Sequence, residues 1–259
     1  MDAIVTAGGI PQPGEPLYEY TQGKSKAMLD VAGKPMIQWV LDALCDAEKI
    51  RNIVVIGLPE DSGLKCRKLA AFLPNQGGML NNVRMGVRKL LDLHPDNRHV
   101  MIVSSDVPSV KPEMIDWIVA TCMQTDDDIY YSVIRKEVME ERFPSSNRSY
   151  THLKDMDVCG GDINVIRSTL AESEEDIWDH LIGARKNVLK QAAIIGFDTL
   201  FLLLLRRITI DDAVKKVAKR LNITGRAIIC PFAEVGMDID KPHQLELLRM
   251  DLAEASSTS

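Results

Sequence analysis

The stretch Ala3-Ile4-Val5-Thr6-Ala7-Gly8-Gly9 is an apolar run that ends on two glycines. A strand with one wet face alternates apolar and polar residues, so an unbroken run signals burial on both faces. Outward from it, similar runs recur at Asn52 to Gly57 and Val100 to Ser104, separated by amphipathic segments at Met36 to Ala47 and Met79 to Leu91. In the first of these segments Ile37, Val40, Leu41 and Leu44 fall at i, i+3, i+4 and i+7, the spacing of a single buried helix face. Strand, helix, strand, helix, strand predicts an α/β fold: a mostly parallel central sheet with helices on both faces, doubly wound.

Further along, a helix is expected after Pro112 and a strand at Tyr130 to Ile134. Arg142 to Tyr150 reads as a polar loop, Cys159-Gly160-Gly161 as a turn and Ile163 to Ile166 as a short strand. The segment Gln191 to Arg207 contains Leu200-Phe201-Leu202-Leu203-Leu204-Leu205, interrupted upstream by Asp198. It falls short of the roughly 18 to 20 residues that span a bilayer, so no transmembrane segment is expected. A buried helix is the expectation, with an interface or acceptor-binding helix as the alternative. Ile210 to Leu221 reads as an amphipathic helix, Ala227 to Cys230 as a strand, Lys241 to Leu252 as a closing helix and 253–259 as a disordered tail.

The 259 residues carry a net charge of −6, which argues against a nucleic-acid surface and for a small-molecule partner. Met1 leads straight into the first strand without a basic n-region, so a cytoplasmic location is expected. Cys45, Cys66, Cys122, Cys159 and Cys230 stand singly, without metal-ligand spacing, and read as reduced, mostly buried thiols.

Three motifs carry chemistry. Thr6-Ala7-Gly8-Gly9 is followed by a loop reaching Lys26; glycines let backbone N–H groups approach a polyphosphate and a lysine offsets its charge. Neither the dinucleotide-binding nor the P-loop glycine spacing is met. Ser104-Ser105-Asp106-Val107-Pro108 ends an apolar strand on a carboxylate, where it overhangs the ligand crevice and suits a divalent cation, or else caps the next turn. Asp238-Ile239-Asp240-Lys241-Pro242 places two carboxylates at i and i+2, pointing the same way if extended. Asp240 also qualifies as the cap of the closing helix.

Together with Gly33-Lys34-Pro35-Met36, these motifs follow the order and approximate spacing of the MobA-like NTP transferase family, which this chain resembles from Ala3 to about Arg249. The resemblance implies a Rossmann-like, GT-A-type fold over 1–252, with a nucleotide-binding half at 1–135 and an acceptor half at 136–252 that carries a helical insertion near 176–221. It implies transfer of NMP from an NTP, CTP or GTP being favoured, to a phosphorylated small molecule such as a sugar phosphate or cofactor precursor. The implied cofactor is Mg²⁺, with Mn²⁺ as an alternative, and a homodimer is compatible.

Position by position, the resemblance implies that Ala7, Gly8 and Gly9 contact base and phosphates and that Lys26 holds the triphosphate. It implies Asp106, Asp238 and Asp240 as metal ligands, Gly78 and Asn82 at a base- and ribose-contacting turn, and Gly161, Asp162 and Lys186 on the acceptor side. The family commonly carries an arginine after the glycines, where this chain has Gly9-Ile10-Pro11-Gln12-Pro13-Gly14-Glu15. Lys24 is the expected substitute, although an ammonium does not reproduce the bidentate guanidinium. The rival readings are a GT-A-like glycosyltransferase and a catalytically silent nucleotide-binding protein.

Overall fold

A computed structural model describes residues 1–172 and 197–257. Its centre is a nine-stranded sheet in the order β5-β4-β1-β6-β10-β7-β9-β8, with β11 on the other edge of β7. The strands are β1 (Asp2–Thr6), β4 (Ile53–Ile56), β5 (Leu69–Leu73), β6 (His99–Ser104), β7 (Ile129–Arg135), β8 (Thr151–His152), β9 (Asp157–Gly160), β10 (Ile163–Arg167) and β11 (Gly225–Cys230). A separate short hairpin pairs β2 (Asp30–Val31) with β3 (Lys34–Pro35).

β5, β4, β1 and β6 are mutually parallel, as the apolar runs of β1, β4 and β6 predict; β5, only partly buried, is not among the strands read from the sequence. β10 enters antiparallel between β6 and β7, so that β6 and β7 themselves run the same way. β11 lies parallel to β7. Within the nine-stranded sheet only β9 and β10 oppose the common direction among the described strands. They are nearly one strand, broken by Gly161 and Asp162, and not flanking a simple turn at Cys159-Gly160-Gly161. The break lets β9 follow β7 outward while β10 inserts beside β6. Gly161 must lack a side chain there: a Cβ would sit 2.9 Å from Ser132 Cβ.

The helices are α1 (Tyr18–Thr21), α2 (Met36–Asp46), α3 (Met79–Leu93), α4 (Pro112–Cys122), α5 (Lys136–Arg142), α6 (Ser168–Glu172), α7 (Phe197–Leu204), α8 (Ile210–Arg220) and α9 (Pro242–Ser257). Strand alternation distributes β1 between two cores. Ala3 and Val5 face α2 and α4 through Ile37, Leu41 and Ile115, whereas Ile4 faces Val83, Val87 and Leu90 of α3. All of these side chains are buried. At roughly 1.5–3 kcal/mol for each large apolar side chain removed from water, these two layers dominate the stability of the fold.

Two helical expectations change. α9 continues through Ser257, past the tail expected from residue 253, because Ala253, Glu254 and Ala255 are good helix formers and prolong it without needing burial. The leucine-rich run forms α7, yet Leu204 is 79% and Leu205 46% exposed. The described part of that run is therefore not the wholly buried helix expected. No described helix is long and apolar enough to cross a membrane. All five cysteines are free, four of them buried and Cys66 half-buried. Burial pushes the Cys122 thiol up to about 12 and Cys230 up to about 11, which makes them poor nucleophiles.

Candidate active site

The register aligns Thr6 with Ile56 on one side and with Ser104 on the other, so β1, β4 and β6 end at one level. Beyond those carboxyl ends lies a cleft of about 590 Å³. Ligands of open α/β sheets bind at this end because strand ends and helix N-termini converge there.

The glycine loop is held from below. Gly57, at the end of β4, has φ +105°, and a Cβ on it would lie 2.4 Å from Gly8 N. Glycine is needed both for that backbone and for the contact. Asn75 Nδ2 donates to the Gly8 carbonyl at 3.2 Å, and the Gly77 amide donates to Asn75 Oδ1 at 3.0 Å. Asn82, one turn into α3, accepts from the Gln76 amide at 2.7 Å and donates to Asn75 Oδ1 at 3.2 Å. Asn82 lines the cleft while spending its amide on ordering this turn. Gly77, Gly78 and Met79 present the N-terminus of α3 to the cleft, where its partial positive charge favours an anion.

Lys26 is fixed by its neighbours. Its amide donates to the Gly9 carbonyl at 2.9 Å, and Ser25 Oγ donates to the Ala7 carbonyl at 2.9 Å. Its ammonium lies 2.7 Å from Asp106 Oδ2 and 2.7 Å from Asp240 Oδ1. Burial alone would lower its pKa, but the two carboxylates outweigh burial and hold it above the ordinary lysine value.

Asp106 follows β6, and its carbonyl accepts the Ile239 amide at 3.0 Å. This single backbone bond brings the two acidic motifs together across the chain. Carboxylate oxygens of Asp106, Asp238 and Asp240 lie within 4.8 Å of one another. Arg148 donates to Asp238 Oδ1, and its guanidinium is 4.0 Å from Asp162 Oδ2. Asp106 Oδ1 is buried with no hydrogen-bond partner among the described residues, as is Arg148 Nε. A buried carboxylate oxygen without a donor is costly unless something else meets it. Three converging carboxylates with such an oxygen fit a hard divalent cation, which takes oxygen ligands.

Asp240 does not cap α9. Gln244 does so from within the helix: its Oε1 accepts the amides of Asp240 and Lys241, both at 2.9 Å, the returning half of a capping box. That frees the Asp240 carboxylate for Lys26. Upstream, Arg142 of α5 donates to Glu234 at 2.9 Å and to Asp251 at 2.8 Å, tying the turn before Asp238 to α9.

Of the residues expected from sequence, Gly8, Gly9, Lys26, Gly78, Asn82, Asp106, Gly161, Asp162, Asp238 and Asp240 all line the cleft. Ala7 lies beneath it, buried, with its amide given to the Ile56 carbonyl at 2.7 Å. Lys24 is exposed and is not among the residues lining the cleft. Lys186 lies outside the described residues. Sequence reasoning missed Asn75 and Asn164, which line the cleft, and Arg148, which lines an adjoining pocket with Gly161, Asp162, Asp238 and Lys241. Asn75 could have been found from Pro74 before it and Gly77-Gly78 two residues after it, since Pro, Asn and Gly together mark a turn. Arg148 sits in a polar loop with no local signal.

Fold and crevice together define a Rossmann-like α/β protein with a glycine loop, a half-buried lysine and a carboxylate trio around its ligand site. The chain belongs to the MobA-like NTP transferase family, whose domain model matches residues 4–222. It is 31% identical over 122 residues to a Pyrococcus furiosus protein described as "Probable molybdenum cofactor guanylyltransferase", a match covering 45% of this chain and 52% of that one. It is 47% identical over 62 residues to glucose-1-phosphate thymidylyltransferase of Neisseria gonorrhoeae, covering 24% of this chain and 20% of the relative. The chain thus matches about half the length of the first relative and a fifth of the second. Among solved structures, a hypothetical transferase from Thermus thermophilus aligns with a TM-score of 0.82 at 28% identity, covering 94% of this chain and 98% of the other. CMP:2-keto-3-deoxy-manno-octonic acid synthetase complexed with CTP shares the fold, with a TM-score of 0.56 at 13% identity and 98% of both chains covered.

Proposed function

We propose that the chain transfers NMP from an NTP to a phosphorylated small molecule and releases pyrophosphate. The observation that carries this reading is the meeting of Lys26, Asp106, Asp238 and Asp240 at the strand ends, between the glycine loop and Arg148. The triphosphate lies along Gly8, Gly9 and the N-terminus of α3, with Lys26 offsetting its charge. Asp106, Asp238 and Asp240 would hold Mg²⁺, or Mn²⁺; the ion when bound supplies Lewis-acid polarisation of the phosphate oxygens.

The acceptor phosphate meets Arg148 beside Gly161 and Asp162. One of its oxygens forms a bond to the NTP α-phosphorus as the bond from that phosphorus to the bridging oxygen breaks. Pyrophosphate leaves with the electron pair. An acceptor phosphate is already ionised at neutral pH, so the step requires no general base, and the chain's task is alignment and charge stabilisation. Arg148 and Lys26 each trade a carboxylate partner for phosphate oxygens as substrates enter, so in the free site each cation is already paired while carboxylates remain in excess. In this arrangement Arg148 offers its guanidinium on the acceptor side, and no described arginine lines the cleft beside the glycine loop.

The test is pyrophosphate release over a panel of NTPs, with acceptor and divalent metal each omitted in turn. Release that requires both supports the reading. Transfer from a nucleotide sugar would favour a glycosyltransferase, and nucleotide binding without release under any combination would favour a silent binder.

A further inference from the structure

Beside the cleft is a second cavity of about 550 Å³, bounded by β7, β9, β10, the start of α3, and α7 and α8. Its wall is mostly apolar, including Leu80, Val133, Leu153, Leu203, Ile210 and Val217, with Arg226, Asn164 and Thr151 among its polar members. It adjoins the site just described: Met79, Ile102 and Asn164 line both it and the cleft, and Tyr131 and Gly160 line both it and the Arg148 pocket. Tyr131 is 43% exposed, its hydroxyl packed against Gly160, so a phenol ring marks the passage from the charged pocket to the apolar one. Thr199 also lines the cavity, fully buried, with its hydroxyl lacking a hydrogen-bond partner among the described residues. A polar triphosphate and a metal ion gain nothing from such a wall. An aliphatic chain does.

We propose that this cavity receives the apolar chain of the acceptor, which is a phosphorylated amphiphile: an alkyl or isoprenoid monophosphate, seated with its phosphate at Arg148 and its chain along α8. The proposal rests on the nucleotidyl-transfer reading for its chemistry, and on the lining residues that the adjoining cavities share for its geometry. It makes the product an NMP joined through a pyrophosphate bridge to a lipid. It also gives a role to the leucine-rich segment: α7 contributes Leu203 to the cavity wall while Leu204 and Leu205 stay exposed. The source of the chain is a lipid phosphate and not an apolar peptide, because the pocket adjoining the cavity is built around an arginine and carboxylates where a single phosphate headgroup is expected to react.

The experiment uses the full chain with NTP and Mg²⁺ and a series of n-alkyl monophosphates below their micellar concentrations, with glycerol phosphate as the polar control. Each methylene buried is expected to raise kcat/KM roughly fourfold until the cavity is full. Ala213→Trp and Val217→Trp, which fill the cavity away from the carboxylates, are expected to flatten that series while preserving turnover of the shortest acceptor. Separately, an alkyl-chain fluorophore should bind without nucleotide and be displaced by decyl phosphate but not by glycerol phosphate. A flat chain-length series on the unmodified chain, or glycerol phosphate serving as well as the longest alkyl phosphate, overturns the proposal and leaves nucleotidyl transfer standing. If no NTP- and metal-dependent turnover occurs with any acceptor, the nucleotidyl-transfer reading fails instead. The fluorophore then decides the cavity: displacement by decyl phosphate upholds its ligand class, and no binding overturns it.

Discussion

Replacing Lys26 with methionine removes a positive charge from between two carboxylates while keeping the side chain's length and much of its volume. Asp106 and Asp240 each lose a partner at 2.7 Å. The remaining carboxylate oxygens lie within 4.8 Å of one another, and at an effective dielectric near 20 a pair of like charges at that separation repels by about 3.5 kcal/mol. The Asp240 side chain is 58% exposed, so water screens part of this and a net loss of about 2 kcal/mol is expected. For a chain of this size that lowers Tm by about 4–8 °C. Millimolar Mg²⁺ should raise the Tm of the variant by more than that of the wild type, because in the wild type the ion must first displace the lysine.

The pH dependence follows from the raised pKa of Lys26. A raised folded-state value means its stabilisation is fully present below the unfolded value near 10.5 and is lost only as pH climbs through the folded value. The gap between wild type and Lys26→Met should therefore hold from neutral pH to about 10 and close above it. Thermal denaturation with and without Mg²⁺ across this range is the assay. Equal Tm values at neutral pH without metal, together with equal responses to Mg²⁺, would refute both the charge-balance argument and the cation site.

Asp106→Asn keeps shape but loses the charge of a buried carboxylate, and turnover should fall about a hundredfold or more, measured as pyrophosphate release at limiting Mg²⁺. Arg148→Gln should raise the acceptor KM about tenfold to a hundredfold with NTP affinity little changed, whereas Lys24→Ala should leave kcat within about twofold; steady-state kinetics in both substrates reads this contrast. Asp128 tests the sheet: its carboxylate accepts the Thr224 amide at 2.7 Å, the Thr224 hydroxyl at 2.8 Å and Arg167 Nε at 2.6 Å. Burial alone would raise its pKa, but these bonds outweigh it and hold the carboxyl below its ordinary value near 3.8. The stability it adds is present above that value and lost as pH falls through the folded one. Asp128→Asn should therefore cost about 1–2 kcal/mol at neutral pH and flatten the acid limb of a denaturation profile.

The parallel half of the sheet and its helices were legible in the sequence because the information is local. Strands buried on both faces must be continuously apolar, and Ile37, Val40, Leu41 and Leu44 must share a face whatever lies opposite. Asp106 and Asp238 could likewise be singled out, since a carboxylate closing an apolar strand or flanking a helix start is visible within a few residues. Their meeting was not visible. It depends on the Ile239 amide reaching the Asp106 carbonyl, a contact between segments more than a hundred residues apart, which follows from where β7, β10 and β11 are placed in the sheet. The same holds for Arg148, whose role comes from a loop folded back onto Asp238, and for Lys24, whose proximity to Lys26 in sequence does not bring it to the cleft. Spacing left Asp240 open as a site carboxylate or a helix cap; only packing shows Gln244 accepting the amides there and leaving Asp240 to Lys26. Local periodicity determines which residues are buried and in what kind of element. Which charges end up facing one another is decided by the tertiary structure, because electrostatic partners are set by distance in space, and the sheet order sets that distance.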